Sequence, residues 1–254
     1  VQVKRVVITR PSGPYSGSKR LAGKLEAVGI EVFELPLLKC VPLDLSARDR
    51  SLIIQSLQQD PGGWLAFLSP TAVWVWSDLI AGDSVLASAT QRAKIAVQGS
   101  GTAKAVIECL NRVPDFTPSV FVAEEFAREF ARALPPNRAV IVPQSADGRD
   151  LFAPILRVAG FGASGIDIYR LEANGINKES LDSYRSFVRE GAAIVFMSPS
   201  AVAAAARVLQ GSLGTEKIVS IGPITTQAIK QAGLTVWREA QEHSEDGVLK
   251  VLVS

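Results

Sequence analysis

The segment LAFLSPTAV at residues 65–73 returns as IVFMSPSAV at 194–202, with Ser69 on Ser198. A second match follows in the same order: KIAVQGSGTAKAVI at 94–107 returns as KIVSIGPITTQAIK at 217–230, with Gly99 on Gly222 and Thr102 on Thr225. A third lays VGIEVFELPLLK, from Val28, on the stretch opening AGFGASGIDIYRLE, from Ala159, and sets Leu38 opposite Tyr169. Ordered self-similarity constrains the fold more than composition does, because both copies must build the same supersecondary unit. The copies run near 1–135 and 138–254 and meet at Leu134-Pro135-Pro136-Asn137.

Each copy alternates short apolar, β-branched runs with Ala-rich stretches of helical period. The strands expected are VVIT, EVFEL, WLAFL, KIAVQ and SVFVA, then AVIV, IDIYRL, AIVFM, KIVSI and TVW. The helices expected are 16–28, 71–81, 102–111, 124–134, 148–159, 200–210 and 225–232. Uniformly apolar strands separated by helices indicate parallel sheets covered on both faces, so the fold class is α/β with two small doubly wound domains. In such sheets ligands bind beyond the carboxyl ends of the strands, at the strand-to-helix turns.

The composition removes several classes of chemistry. With 27 basic and 25 acidic side chains spread along the chain, a basic face for nucleic acid is not expected. Cys40 and Cys109 lie far apart with no CxxC pairing, and His243 is the single histidine, so a His-based triad, a metal cluster or a redox dithiol is not expected. No stretch approaches the roughly 20 apolar residues that span a bilayer, and the opening VQVKRVVITR does not read as a signal peptide. A start at Val1 leaves room for a leader removed earlier, so localisation stays open.

Six turns share one chemistry: Arg10-Pro11-Ser12, Ser69-Pro70-Thr71, Gly99-Ser100-Gly101-Thr102, Ser145-Ala146-Asp147-Gly148-Arg149, Ser198-Pro199-Ser200 and Gly222-Pro223-Ile224-Thr225. Each stands just before an expected helix, where Ser or Thr serves as an N-cap. The same positions are anion sites when N–H groups are left open, and Arg10 and Arg149 stand beside two of them. Gly99-x-Gly101 after a strand imitates a dinucleotide fingerprint, with Glu124 and Glu125 after the next strand, but Lys104 occupies the place of the third glycine. Tyr169, inside the apolar run GIDIYRLEA, is either a half-buried strand residue with its hydroxyl in water or a proton donor facing the ligand. His243 reads as an exposed loop residue, the four tryptophans as packing, and Asp147 and Asp150 as N-terminal helix charges.

The opening VITRP, the paired FLSPTAV and FMSPSAV, VQGSGTAKAV with IGPITTQAIKQAGL, GRDLFAPILRVAGF, DIYRLE and the closing HSEDGVLKVL together resemble uroporphyrinogen-III synthase, from about residue 5 to the C-terminus. Ile224 departs from the family by replacing a hydroxyl residue between the Pro and the Thr. The resemblance implies an interleaved architecture. Residues 1–37 with 174–254 would form one domain and 42–168 the other, joined by linker strands at 38–41 and 169–173, with a cleft between them. It implies cyclisation of hydroxymethylbilane to uroporphyrinogen III with inversion of ring D through a spiro intermediate, releasing water and using no metal or cofactor. Tyr169 is carried over as the general acid. Arg10, Pro11, Ser69, Thr71, Ser100, Gly101, Thr102, Arg149, Ser198, Ser200, Pro223 and Thr225 become contacts for the substrate's acetates and propionates. The implied partners are the bilane and, transiently, hydroxymethylbilane synthase, for a monomer in a bacterial cytoplasm or a plastid stroma. Two other classes stand beside this reading: a bilobed α/β protein binding a small anion, and a dinucleotide-dependent oxidoreductase.

Overall fold

The computed structural model describes residues 3–11, 13–15, 18–59, 63–209, 213 and 217–254. In chain order the first elements are β1 (Arg5–Ile8), α1 (Ser18–Glu26), β2 (Glu31–Glu34), β3 (Leu38–Pro42), α2 (Ala47–Gln59), β4 (Trp64–Phe67), α3 (Pro70–Ala81), α4 (Ser84–Arg92), β5 (Lys94–Val97), α5 (Ser100–Leu110) and α6 (Ala123–Ala133). They are followed by β6 (Ala139–Ser145), α7 (Phe152–Val158), β7 (Gly162–Ala173), α8 (Lys178–Arg189), β8 (Ala193–Phe196), α9 (Pro199–Val208), β9 (Lys217–Ser220), α10 (Pro223–Gln231), β10 (Val236–Glu239) and α11 (Glu245–Val253). No helix among the described residues is long and apolar enough to cross a membrane.

The elements divide into two units: Val1–Cys40 with Leu171–Ser254, and Val41–Arg170. The first holds a five-stranded sheet in the order β10-β9-β8-β1-β2, parallel at every pair. Its strands come from both sequence copies, β1 and β2 from the first and β8, β9 and β10 from the second. All four residues of β8 are buried: Ala193 and Val195 pack into the core on one face, Ile194 and Phe196 into the core on the other. Burial on both faces explains why its sequence is continuously apolar instead of alternating.

The second sheet runs β3-β7-β6-β4-β5, with β4, β5, β6 and β7 parallel. The edge strand β3 is set antiparallel to β7 by Leu43 N–H donating to the Ile168 carbonyl and Asn174 N–H donating to the Leu37 carbonyl. Beneath one face lies an aromatic cluster. Phe130 from α6 contacts Trp64, Phe116, Phe126, Phe152 and Phe161 at ring-centroid distances of 5.0 to 6.3 Å. On the other face Trp76 of α3 meets Phe67 of β4 edge-on and donates its indole N–H to Thr90 Oγ1.

Several expectations are corrected. SVFVA at 119–123 is not a strand: Pro118 stands directly before it, Ser119 gives its N–H to the Glu129 carboxylate, and Val120 and Phe121 are exposed. Beside β5, where β10 lies beside β9 in the other unit, there is one parallel bridge from Ala96 to Phe116. The helix expected over 148–159 begins only at Phe152, because the turn is closed by Gly148 N–H to the Ser145 carbonyl. Asp147 and Asp150 therefore lie ahead of it, and Asp150 faces Arg157 at 3.8 Å. Residues 16–17 and 210, at the ends of two expected helices, lie outside the described residues.

The apolar pattern did not show α2, α4 and α8, yet each carries a local start signal: Ser46 Oγ accepting from Asp49 N–H, Asp83 capping α4 and Asn177 capping α8. Asp83 also ties α4 to α2, since Arg50 donates Nε to Oδ2 at 2.6 Å and Nη2 to Oδ1 at 3.0 Å. These Arg50 bonds, with the Leu86 N–H next, hold the Asp83 carboxyl at about 2, below its ordinary 3.8. A carboxyl depressed on folding adds stability that is present above its unfolded pKa and lost as pH falls through its folded one. Urea unfolding of wild type against Asp83→Asn should thus show a small stability gap at about pH 5 that closes toward about pH 2, small because the pair is solvent-screened. A gap that persists unchanged at the acid end would remove the ion pair as its cause.

Candidate functional site

In parallel sheets the turns that leave the carboxyl ends of the strands gather along one sheet edge, and in each unit this edge carries the expected site residues. In the second unit Ser69 follows β4 in an extended conformation and caps α3, its Oγ accepting the Ala72 N–H at 3.2 Å. Pro70 takes the first helical position and Thr71 the second. The cap reading is therefore correct at Ser69, but the hydroxyl has a second neighbour: Tyr169 Oη lies 3.2 Å from Ser69 Oγ.

Tyr169 reaches that place through an irregularity. Along β6 and β7 the register runs Gln144 to Asp167, then slips so that Ser145 pairs with Tyr169 instead of Ile168. A one-residue slip changes which side chains each face presents, and Ile168 and Tyr169 are consecutively buried. Ala146 N–H donates to the Tyr169 carbonyl and locks the slip. At 7% exposure Tyr169 is buried instead of half-buried, and its hydroxyl lies beside the Ser69 hydroxyl.

The α5 terminus, next to α3, is different. Gly99 occupies the N-cap with no side-chain bond to the helix, so the first-turn N–H groups are left without a side-chain acceptor from the cap. Ser100 and Gly101 are exposed, while Thr102 is buried at 4%, so the turn offers ligands its backbone and Ser100 more than the threonine hydroxyl. A Cβ on Gly101 would lie 3.8 Å from Pro70 Cγ, which places the two helix starts side by side. Lys104, half exposed, faces Glu108 at 3.9 Å, and with no strand at 119–123 the carboxylates Glu124 and Glu125 lack the setting a dinucleotide ribose requires. Arg149 is exposed in a turn and does not stand at a helix start.

The first unit repeats this plan. Ser198 caps α9 by accepting the Ala201 N–H at 3.3 Å, and its Oγ lies 2.9 Å from Ser200 Oγ. Gly222 caps α10 without a side-chain bond, held by Ser220 Oγ, which accepts its N–H and donates to its carbonyl. Pro223 and Ile224 are exposed and Thr225 is buried at 3%. His243 is exposed as expected, yet it leans on this turn: a Cβ on Gly222 would sit 2.7 Å from His243 Cδ2.

Arg10 and Pro11 follow β1 on the same edge, and Ser12 lies outside the described residues. Arg10 Nη1 donates to Glu245 Oε1 at 2.6 Å. Burial pulls the Arg10 pKa below its ordinary value while the Glu245 charge opposes that shift. Glu245 was not singled out from sequence, although it stands in the closing HSEDG motif directly after the Ser244 cap of α11. Gly247 in that motif is required by space, because a Cβ there would lie 1.9 Å from the Glu242 carbonyl oxygen. Burial pushes the Cys40 thiol up to about 11, so it is protonated and unreactive at neutral pH.

The fold and these edges define a two-unit α/β protein whose parallel sheets end in capped and uncapped helix starts, with one buried tyrosine hydrogen-bonded to a cap. The family model for uroporphyrinogen-III synthase HemD matches residues 19–250. A Methanocaldococcus jannaschii protein provisionally described as a uroporphyrinogen-III synthase is 24% identical over 238 residues, covering 90% of each chain. Among solved structures, uroporphyrinogen-III synthetase from Helicobacter pylori shares the fold at TM-score 0.64 and 15% identity, covering 98% of this chain and 97% of that one. A mutant uroporphyrinogen III synthase from the extremely thermophilic bacterium Thermus thermophilus does so at TM-score 0.56 and 16% identity, covering 97% and 96%. The chain belongs to the uroporphyrinogen-III synthase family.

Proposed function

We propose that the chain closes hydroxymethylbilane into uroporphyrinogen III, as a cofactor-independent cyclising lyase of this family. The observation that carries the site assignment is the Tyr169 phenol at 3.2 Å from the Ser69 hydroxyl, on the carboxyl edge of the second sheet. A phenol keeps its proton at neutral pH and can donate it, and the Ser69 contact holds it in one orientation. In this reading Tyr169 protonates the terminal hydroxyl of the bilane, which leaves as water and gives an azafulvene. The substituted carbon of ring D attacks the exocyclic methylene of the azafulvene and forms a spiro-pyrrolenine. Cleavage of the bond from ring D to its original neighbour and reclosure through the free carbon leave ring D inverted, with loss of a proton restoring the pyrrole.

The substrate's acetates and propionates need positive, water-excluding contacts more than they need reactive side chains. The uncapped starts of α5 and α10, at Gly99 and Gly222, supply N–H groups with a favourable helix dipole, and Ser100, Gly101, Thr71, Ser200 and Pro223 border the helix starts on these edges. Arg10 adds a fixed cation. Catalysis then consists largely of folding the bilane so that the less accessible carbon attacks, a gain in orientation instead of a large electrostatic effect on one atom. The same reading makes the chain a monomer that receives the bilane from hydroxymethylbilane synthase by transient contact, in a bacterial cytoplasm or a plastid stroma.

The test is to add the protein to freshly generated hydroxymethylbilane, oxidise the products and separate the isomers. Predominant type III product is expected. Type I alone, at the spontaneous rate, would leave the family fold without the activity and bring forward binding of a small anion.

A further inference from the structure

Three cations converge on one carboxylate at the carboxyl edge of the first unit's sheet. Arg10 Nη1 meets Glu245 Oε1 at 2.6 Å, while Arg20 Nε at 3.2 Å and Lys24 Nζ at 3.8 Å face Oε2. Lys24 also reaches Asp246 Oδ1 at 2.5 Å. Arg10, Arg20 and Lys24 thus crowd around the single Glu245 carboxylate. The Arg10 and Glu245 side chains keep only 13% and 14% of their exposure, a setting in which charge pairing is much stronger than at the open surface.

A guanidinium has five N–H donors arranged as a planar fork. Arg10 offers Glu245 only its Nη1, and among the described residues Nε and Nη2 have no acceptor. The fork is thus anchored at one nitrogen, with no acceptor among the described residues on its remaining edge, which is the arrangement that receives a second carboxylate. Arg20 stands close enough to push against the Arg10 charge, and Glu245 is the group that offsets this repulsion.

Resting on the synthase reading above, we propose that Glu245 is a positioning residue: it aims the open edge of the Arg10 fork at a carboxylate of the substrate. Glu245 does not touch the substrate itself. Without it Arg10 loses its anchor and swings away from Arg20, and the clamp must be ordered anew each time substrate binds.

The full chain with bilane generated in situ supplies the test. Glu245→Gln is expected to raise KM about tenfold while kcat changes by less than about twofold, the pattern of lost binding instead of lost chemistry. Glu245→Asp, which keeps the charge, should recover part of the affinity. A lowered Tm with KM unchanged would make Glu245 a structural staple and overturn the proposal. Should Glu245→Gln fail to fold, Arg10→Lys is decisive, because it keeps the ion pair and removes the planar fork. A KM rise is expected there, and a wild-type KM overturns the proposal. If the wild-type chain makes no type III product, the synthase reading falls and takes this proposal with it. Wild-type activity with both variants at the normal KM removes the positioning role alone.

Discussion

Tyr169→Phe is expected to lower turnover by about a hundredfold, within the range that loss of a general acid costs, while the protein stays folded. The ring is retained, so its packing is kept, and the substitution removes the hydrogen bond to Ser69 Oγ, itself worth about 1 kcal/mol. The two effects separate in measurement: single-turnover formation of type III product reports the chemistry, and thermal unfolding reports the packing. Type III formation at the wild-type rate would remove Tyr169 from the acid role. Ser69→Ala gives a graded comparison, since it withdraws both the cap of α3 and the partner of the phenol and leaves the proton donor in place.

Phe130→Ala should cost about 3 to 5 kcal/mol of stability, the range for deleting a buried aromatic ring that its surroundings cannot refill. Phe130 is fully buried and touches five other rings drawn from β4, α6, α7 and the segments at Phe116 and Phe161. These edge-on and tilted rings are rigid, so they refill the gap poorly. Because the chain forms two compact units, its unfolding need not be a single transition, and the loss should fall on the unit that contains Phe130. Guanidinium unfolding of a Trp237→Phe background, followed by tryptophan fluorescence, reads that unit, which holds Trp64, Trp74 and Trp76. A midpoint shifted by only a few tenths of a kcal/mol equivalent would show that the cluster repacks.

Much of the fold was legible because its signals are local. Continuous apolar runs marked β4, β5, β6, β8 and β9, and Ser69 and Ser198 marked helix starts by their position before Pro and an apolar turn. The helices α2, α4 and α8 were missed despite Ser46, Asp83 and Asn177, because their apolar faces are short and the cap is the clearer signal. SVFVA misled for the opposite reason: its β propensity is high, but the preceding Pro118 and the bonds from Ser119 N–H to the Glu129 carboxylate decide against pairing. At the site, the hydroxylated turns were visible, whereas the burial of Thr102 and Thr225 was not. Their neighbours in space, not in sequence, cover them.

By itself the amino-acid sequence determined the repeated strand–turn–helix plan, the caps, and the concentration of small hydroxylated residues at the turns, since each depends on residues within a few positions of one another. The exchange of strands between the copies, implied by the family resemblance, does not follow from the repeat itself; the tertiary structure alone decided the strand order within each sheet, that a slip of one residue in β7 carries Tyr169 to Ser69, and that Arg10 is held by Glu245. Those pairs lie 100 and 235 residues apart. No local period encodes contacts at such separations; they form because each parallel sheet, once assembled, brings its carboxyl-end turns to a common edge.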